Sequence, residues 1–148
     1  MVPRRPSNLA EPPVTDTVQQ LREDLQRSVD AIEGGYELML AYAAQGLPKD
    51  QTSQTGGQLR DALGRFDAAL TGLAETCRQI IAAERPDRTS AYDAFLDILA
   101  RDAHAAQAAI RVVMAQPGIS SLLVDNLNAS VHVRALLTDV FVIDEALK

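Results

Sequence analysis

The sequence is poor in cysteine, in long apolar runs and in export signals. Its single cysteine, Cys77, cannot form an internal disulfide, and it falls in an apolar pattern that favours a buried thiol in a reducing compartment. No run of about 18 apolar residues is present, which excludes a membrane-spanning helix. Arg4 and Arg5 are not followed by the apolar segment of an export signal. We therefore expect a cytoplasmic protein.

Basic residues are also scarce. The chain has 14 Lys and Arg residues against 20 Asp and Glu residues, which gives a net charge of −6. No predicted helix carries a stripe of Lys and Arg, so nucleic acid would be repelled. A helical coat on a lipid surface would lack the basic residues that usually flank its apolar face. The composition therefore excludes nucleic acid as a partner and disfavours a membrane-surface role.

Recognisable catalytic and metal-binding patterns are absent. A di-iron helical bundle needs a glutamate three residues before each liganding histidine. Arg101 holds that place before His104, and Ala129 holds it before His132. Nucleophile-elbow and phosphate-binding glycine motifs are missing too. We predict no catalytic residues, no metal site and no cofactor, so an enzymatic function is not favoured.

Apolar residues recur at alternating steps of four and three, the spacing of an amphipathic helix. The clearest stripe, within 58–84, consists of Leu59, Leu63, Phe66, Leu70, Leu73, Cys77 and Ile80. Proline, glycine and capping residues separate four such segments and predict helices over 16–45, 58–84, 90–115 and 121–147. The expected fold is all-α: an up-and-down antiparallel four-helix bundle over 16–148, preceded by a disordered, proline-rich tail over 1–15.

Small residues fall near the middle of the predicted helices, where an antiparallel bundle stacks them at one level. They include Gly34, Gly35, Gly72, Ala103 and Ala106. The helices could close together there into a tight waist, or the missing side chains could leave a pocket for a ligand. The second alternative predicts a small-molecule-binding or enzymatic helical bundle.

The last predicted helix is apolar in more directions than one buried face can use. One stripe contains Val133, Leu136, Val140, Ile143 and Leu147, and a second contains Phe141. The helical wheel does not decide which stripe faces the core, but the surplus predicts a homodimer with one of them at the contact. The remaining polar line, which is typical of a solvated face, consists of Asp125, Asn128, His132 and Asp139. These features favour a non-enzymatic accessory or regulatory protein that self-associates and binds a protein partner.

Overall fold

The structure, a computed structural model, describes residues 14–49 and 54–148. Every regular element in those ranges is an α-helix, which confirms the all-α prediction. They are α1 (Val14–Ala44), α2 (Gln54–Leu70), α3 (Leu73–Glu84), α4 (Thr89–Met114), α5 (Ser121–Ala129) and α6 (Val131–Ala146). Residues 1–13 of the predicted tail lie outside the described residues. No helix in the described ranges has both the length and the apolar character needed to cross a membrane.

The second predicted helix, 58–84, is divided at Gly72 into α2 and α3. Gly72 has a φ of 75°, a left-handed conformation that glycine adopts without the steric cost of a Cβ atom. Thr76 donates its backbone N–H and its hydroxyl to the Gly72 carbonyl at 2.9 and 3.1 Å. Leu70 and Leu73 are buried on either side of the break. The apolar stripe was thus predicted correctly, whereas the turn within it was missed.

The fourth predicted helix, 121–147, is divided at Ser130 into α5 and α6. Ser130 has φ −57° and ψ 129°, outside the helical region, and its hydroxyl accepts a hydrogen bond from the His132 N–H at 3.3 Å. Ser120 caps α5 in a similar way, accepting from the Leu123 N–H at 3.1 Å. Each serine satisfies a backbone donor that the first turn of a helix leaves unpaired.

The two longest helices, α1 and α4, organise the packing. α1 packs against α2, α3 and α5 and only lightly against α6, whereas α4 packs mainly against α6 and α3. The largest fully buried side chains are Tyr42, Phe66, Ile32, Met39, Leu59, Leu63, Ile80, Ile81, Leu96, Leu99, Ile110 and Ile119. Each contributes about 1.5–3 kcal/mol by leaving water, so this shared core is what holds the helices together.

The carboxyl end of α6 is held by two guanidinium groups. Arg85, which precedes α4, donates to the Ala146 carbonyl at 2.6 Å, and Arg22 of α1 donates to the Leu147 carbonyl at 2.9 Å. A positive charge is favourable at this end of a helix dipole. Because the end of α6 lies beside the start of α4 and the two helices pack along each other, they run antiparallel.

Buried hydrogen bonds fasten the carboxyl end of α1 to the start of α5. The Tyr42 hydroxyl donates to the Ile119 carbonyl at 2.6 Å, and the Ser121 hydroxyl donates to the Tyr42 carbonyl at 2.6 Å. The Leu47 N–H donates to the Ser121 hydroxyl at 2.8 Å, and the Ser121 N–H donates to the Leu47 carbonyl at the same distance. Both side chains are buried, so these bonds fix the approach of α5 to α1 in a dry environment.

Candidate functional site

Most of the predicted interface residues lie in the chain's own core. Val133, Leu136, Val140, Ile143 and Leu147 are at most 1% exposed. Side chains buried in this way have no surface left to offer a second copy of the folded chain. Phe141, the sixth residue of the predicted set, is 47% exposed. Of the two stripes that the sequence left open, the structure places the first in the core, together with Leu127 and Leu137 of the second, and leaves only Phe141 of the second stripe exposed.

The outer face of α6 is the surface opposite its core stripe. It consists of Val131, Arg134, Ala135, Thr138, Phe141, Val142 and Glu145, each of which lies three or four residues from another member and so shares one side of the helix. Val131 is 69% exposed and Val142 is 49% exposed. Phe141 and Val142 adjoin and form a small apolar patch, whereas Val131 lies about 15 Å away along the helix axis, beyond Arg134.

The patch extends onto α4. Asp102 of α4 meets Asp139 of α6, and the two helices are antiparallel, so Ile98 and Val142 both lie about one turn from that pair in the same direction. Ile98 is one of the exposed large apolar side chains. Ala105 lies on the other side of the pair and is half-buried. Along the seam between α4 and α6, Ile98 and Val142 therefore lie on one side of the contact between Asp102 and Asp139, and Ala105 lies on the other side.

Charge is distributed unevenly along the outer face of α6. Arg134 lies near its amino end and forms no ion pair within residues 14–49 and 54–148. Glu145 lies near its carboxyl end and is exposed, and Lys148 is 3.1 Å from its carboxylate. Thr138 and Phe141 lie between the two ends and are uncharged. The face is thus apolar in the middle, positive at one end and mainly acidic at the other.

The interior contact between α4 and α6 holds an unusual group. Asp139 is only 8% exposed, and its Oδ2 atom has no hydrogen-bond partner in the described structure. Burial is the main cause that raises the pKa of Asp139 to about 7, and a hydrogen bond with the Asp102 carboxyl and its charge raise it further. Removing a carboxylate from water disfavours its charged form, as does a second carboxylate nearby. Asp139 therefore keeps its proton to a higher pH than an exposed aspartate does.

The interpretation of the polar line on α5 and α6 as a solvated face was wrong at Asp139. Asp125 and His132 are exposed as expected, but Asp139 is buried, and both amide atoms of Asn128 are buried without partners in the described structure. The position of Asp139 between core residues of the same helix was the available signal. It was outweighed by the general preference of aspartate for water.

The titratable side chains give no sign of a metal or nucleophile site. No group of three or more His, Cys, Asp or Glu side chains is arranged to hold a metal ion within residues 14–49 and 54–148. His104 and His132 are both exposed, on different helices. Cys77 is fully buried, and burial, with a smaller contribution from Asp144, raises the pKa of its thiol to about 12. The thiol therefore stays protonated near neutral pH, which disfavours nucleophilic chemistry.

The small residues predicted to form a central layer do not surround one space. A Cβ atom on Gly35 would lie 2.8 Å from Cδ2 of Phe66, so α1 and α2 are in close contact there. Ala103 and Ala106 are buried in the core, and Gly72 is exposed in its turn. Gly34, by contrast, has open space around it. The helices are tightly packed at Gly35.

Two open grooves lie on the surface instead. The larger, of about 600 Å³, runs between α1 and α2 and is lined by Gly34, Gly35, Ala41 and Arg65 among others. The smaller, of about 370 Å³, lies at the α2–α3 turn beside His104. Neither groove brings together the nucleophile, base and oxyanion donors that a hydrolytic site requires.

Comparisons with known proteins do not identify a relative. No protein-family model, no curated protein and no solved structure matches this chain. Its function must therefore be inferred from its own core and surface.

Proposed function

We propose that this protein is a non-enzymatic accessory or regulatory protein that self-associates as a homodimer and binds a protein partner. In this proposal the chain is an up-and-down four-helix bundle. α2 and α3 together form one of its four helices, and α5 and α6 together form another. The outer face of α6 is the surface through which two copies meet.

The observation that carries the proposal is the exposure of Val131, Phe141 and Val142 on one side of α6. Covering such side chains is favourable by about 25 cal/mol per Å² of apolar area. Surfaces of this kind mark contacts between proteins more often than they mark catalytic sites.

Mass measurement tests the proposal directly. Sedimentation equilibrium between about 1 and 200 µM should show a concentration-dependent rise from 16.0 kDa towards twice that mass. Phe141→Glu should shift the association constant by at least tenfold, because it places a charge in the middle of the contact. A mass that stays at the monomer value over the whole range would refute self-association.

A matched variant separates association from folding. Leu40 of α1 is 47% exposed, the same fraction as Phe141, and α1 packs only lightly against α6, so Leu40→Glu adds the same charge at an equally exposed apolar site on another helix. We expect Leu40→Glu to dimerise like the parent protein and both variants to retain helical circular dichroism. Equal weakening by the two substitutions would count against the outer face of α6 as the contact.

The alternative function, binding of a small molecule, is favoured by one observation, the groove of about 600 Å³ between α1 and α2. Its volume is in the range of ligand sites, although it is open to solvent. Native mass spectrometry of the purified protein tests this alternative. A bound molecule lost on Gly34→Trp would support the groove as a binding site, whereas protein of the bare chain mass would argue against it.

A further inference from the structure

We infer that two copies pair with their α6 helices antiparallel, so that Arg134 of each copy meets Glu145 of the other. This inference rests on the proposed self-association and adds the orientation and the register of the contact. The partner that fits the outer face of α6 is a second copy of the same chain.

The two charged side chains of the outer face lie near opposite ends of α6. Arg134 and Glu145 are eleven residues apart, close to three turns, so they lie on nearly the same side of α6 and about 16 Å apart along its axis. Their midpoint falls at the height of Asp139 and Val140. The exposed apolar part of the face, with Phe141 and Val142, lies near this midpoint.

Two identical chains are expected to be related by a two-fold axis. A two-fold axis across the midpoint and perpendicular to both helices reverses the helix direction and places position 134 of one copy beside position 145 of the other. It does so twice, once on each side of the axis. A parallel pair would instead place Arg134 beside Arg134 and Glu145 beside Glu145. Like charges at close range oppose association, so the charge pattern favours the antiparallel arrangement.

Arg134 and Glu145 have few ion-pair partners within their own chain. Arg134 forms no ion pair within the described ranges. Glu145 has only Lys148, an exposed side chain at the end of the chain, as its cationic neighbour. Arg134 is therefore available to a second copy, and Glu145 is held only by an exposed ion pair of the kind that contributes about 0–1 kcal/mol. Both side chains are exposed, so neither substitution would disturb the core of the monomer.

The same axis brings the apolar centres together. Phe141 of the two copies would be offset by about 4.5 Å along the helix direction, and Thr138 of each copy would lie level with Phe141 of the other. Val142 continues this contact towards Ile98 of α4, which is also exposed. The contact has an apolar centre and a charged rim, the arrangement usual in protein interfaces.

Charge reversal tests the register. Arg134→Glu and Glu145→Arg should each weaken the dimer at least tenfold, because each creates two repulsive pairs across the axis. The double variant exchanges the charges and should recover an association constant within about threefold of the parent. Arg65→Glu, at an exposed site on α2, makes the same charge change on a helix without substantial packing against α6 and should have little effect.

Mixing the two single variants tests whether the charges act between copies. In the mixture, the Arg134→Glu chain has an acidic side chain at positions 134 and 145, and the Glu145→Arg chain has a basic side chain at both. In a mixed dimer each acidic side chain therefore meets a basic one. Sedimentation should therefore show a mixed dimer that neither variant forms alone at the same concentration. If the parent protein dimerises but the single variants dimerise equally well, or if the double variant is not restored, the antiparallel register is overturned while self-association stands. If the parent protein is monomeric throughout, both proposals fail.

Discussion

Replacement of Asp139 by asparagine should make the protein more stable at pH 8 and, by a clearly smaller amount, at pH 5. The side chain is buried between α4 and α6 beside Asp102, and its pKa is raised to about 7 from an ordinary value of 3.8. The folded state therefore holds a proton that the unfolded state releases. Stability is greatest while Asp139 is protonated and is lost as pH rises from about 4 to 7.

The size of the effect follows from that interval. Each pH unit between the unfolded and folded pKa values corresponds to about 1.4 kcal/mol, so three units give an upper limit of about 4 kcal/mol. The expected loss between pH 4 and pH 8 is roughly 2–4 kcal/mol, and part of it occurs already below pH 5. An asparagine side chain is neutral at both pH values and can donate to Asp102, so most of this loss should disappear.

Urea denaturation followed by circular dichroism at pH 5 and pH 8 measures the effect. The window avoids Glu84, whose pKa is lowered chiefly by its hydrogen bond with Arg22 and whose contribution is lost only as pH falls below its ordinary value of 4.5. Asp125→Asn, at an exposed site on α5, is the matched control and should change stability by less than about 0.5 kcal/mol. If the parent protein is equally stable at pH 5 and pH 8, the pKa of Asp139 is not raised by burial.

Two further predictions concern packing. Gly34→Ala should stabilise the protein by about 0.5–1 kcal/mol through helix propensity, whereas Gly35→Ala should be destabilising relative to it, because the new Cβ atom meets Phe66 at 2.8 Å; equal denaturation midpoints would indicate that Phe66 can move. Tyr42→Phe should lower the free energy of unfolding by about 1 kcal/mol through loss of the buried hydrogen bond to Ile119, and a variant as stable as the parent in urea would show that this bond makes no net contribution.

The sequence predicted the helical class and the core stripes because both depend on the spacing of apolar side chains. Leu59, Leu63 and Phe66, chosen from a four-three pattern, are all fully buried. The turns at Gly72 and Ser130 were missed for a physical reason. An apolar stripe can pass through a short break without changing its spacing, so periodicity alone does not register a residue that leaves the helical conformation.

The burial of Asp139 beside Asp102 could not be predicted from the spacing of apolar side chains. Which stripe of α6 faces inward depends on where α4 lies, and so does the burial of Asp139. A single wheel places Val140 and Phe141 on competing faces and gives no reason to prefer one. The contact between Asp102 and Asp139 joins residues 37 positions apart, and only the packing of α4 on α6 brings them together.

The break at Ser130 marks a change in the helix that supports the chain. α5 packs mainly on α1, whereas α6 packs mainly on α4 and touches α1 only lightly. The contact with α1 that remains includes the carboxyl end of α6, where Arg22 donates to the Leu147 carbonyl. With its core stripe buried and only a light contact with α1, α6 keeps Phe141 47% exposed. A wheel drawn over 121–147 as one straight helix does not contain this change of support, so it could not show which apolar side chains of α6 stay at the surface.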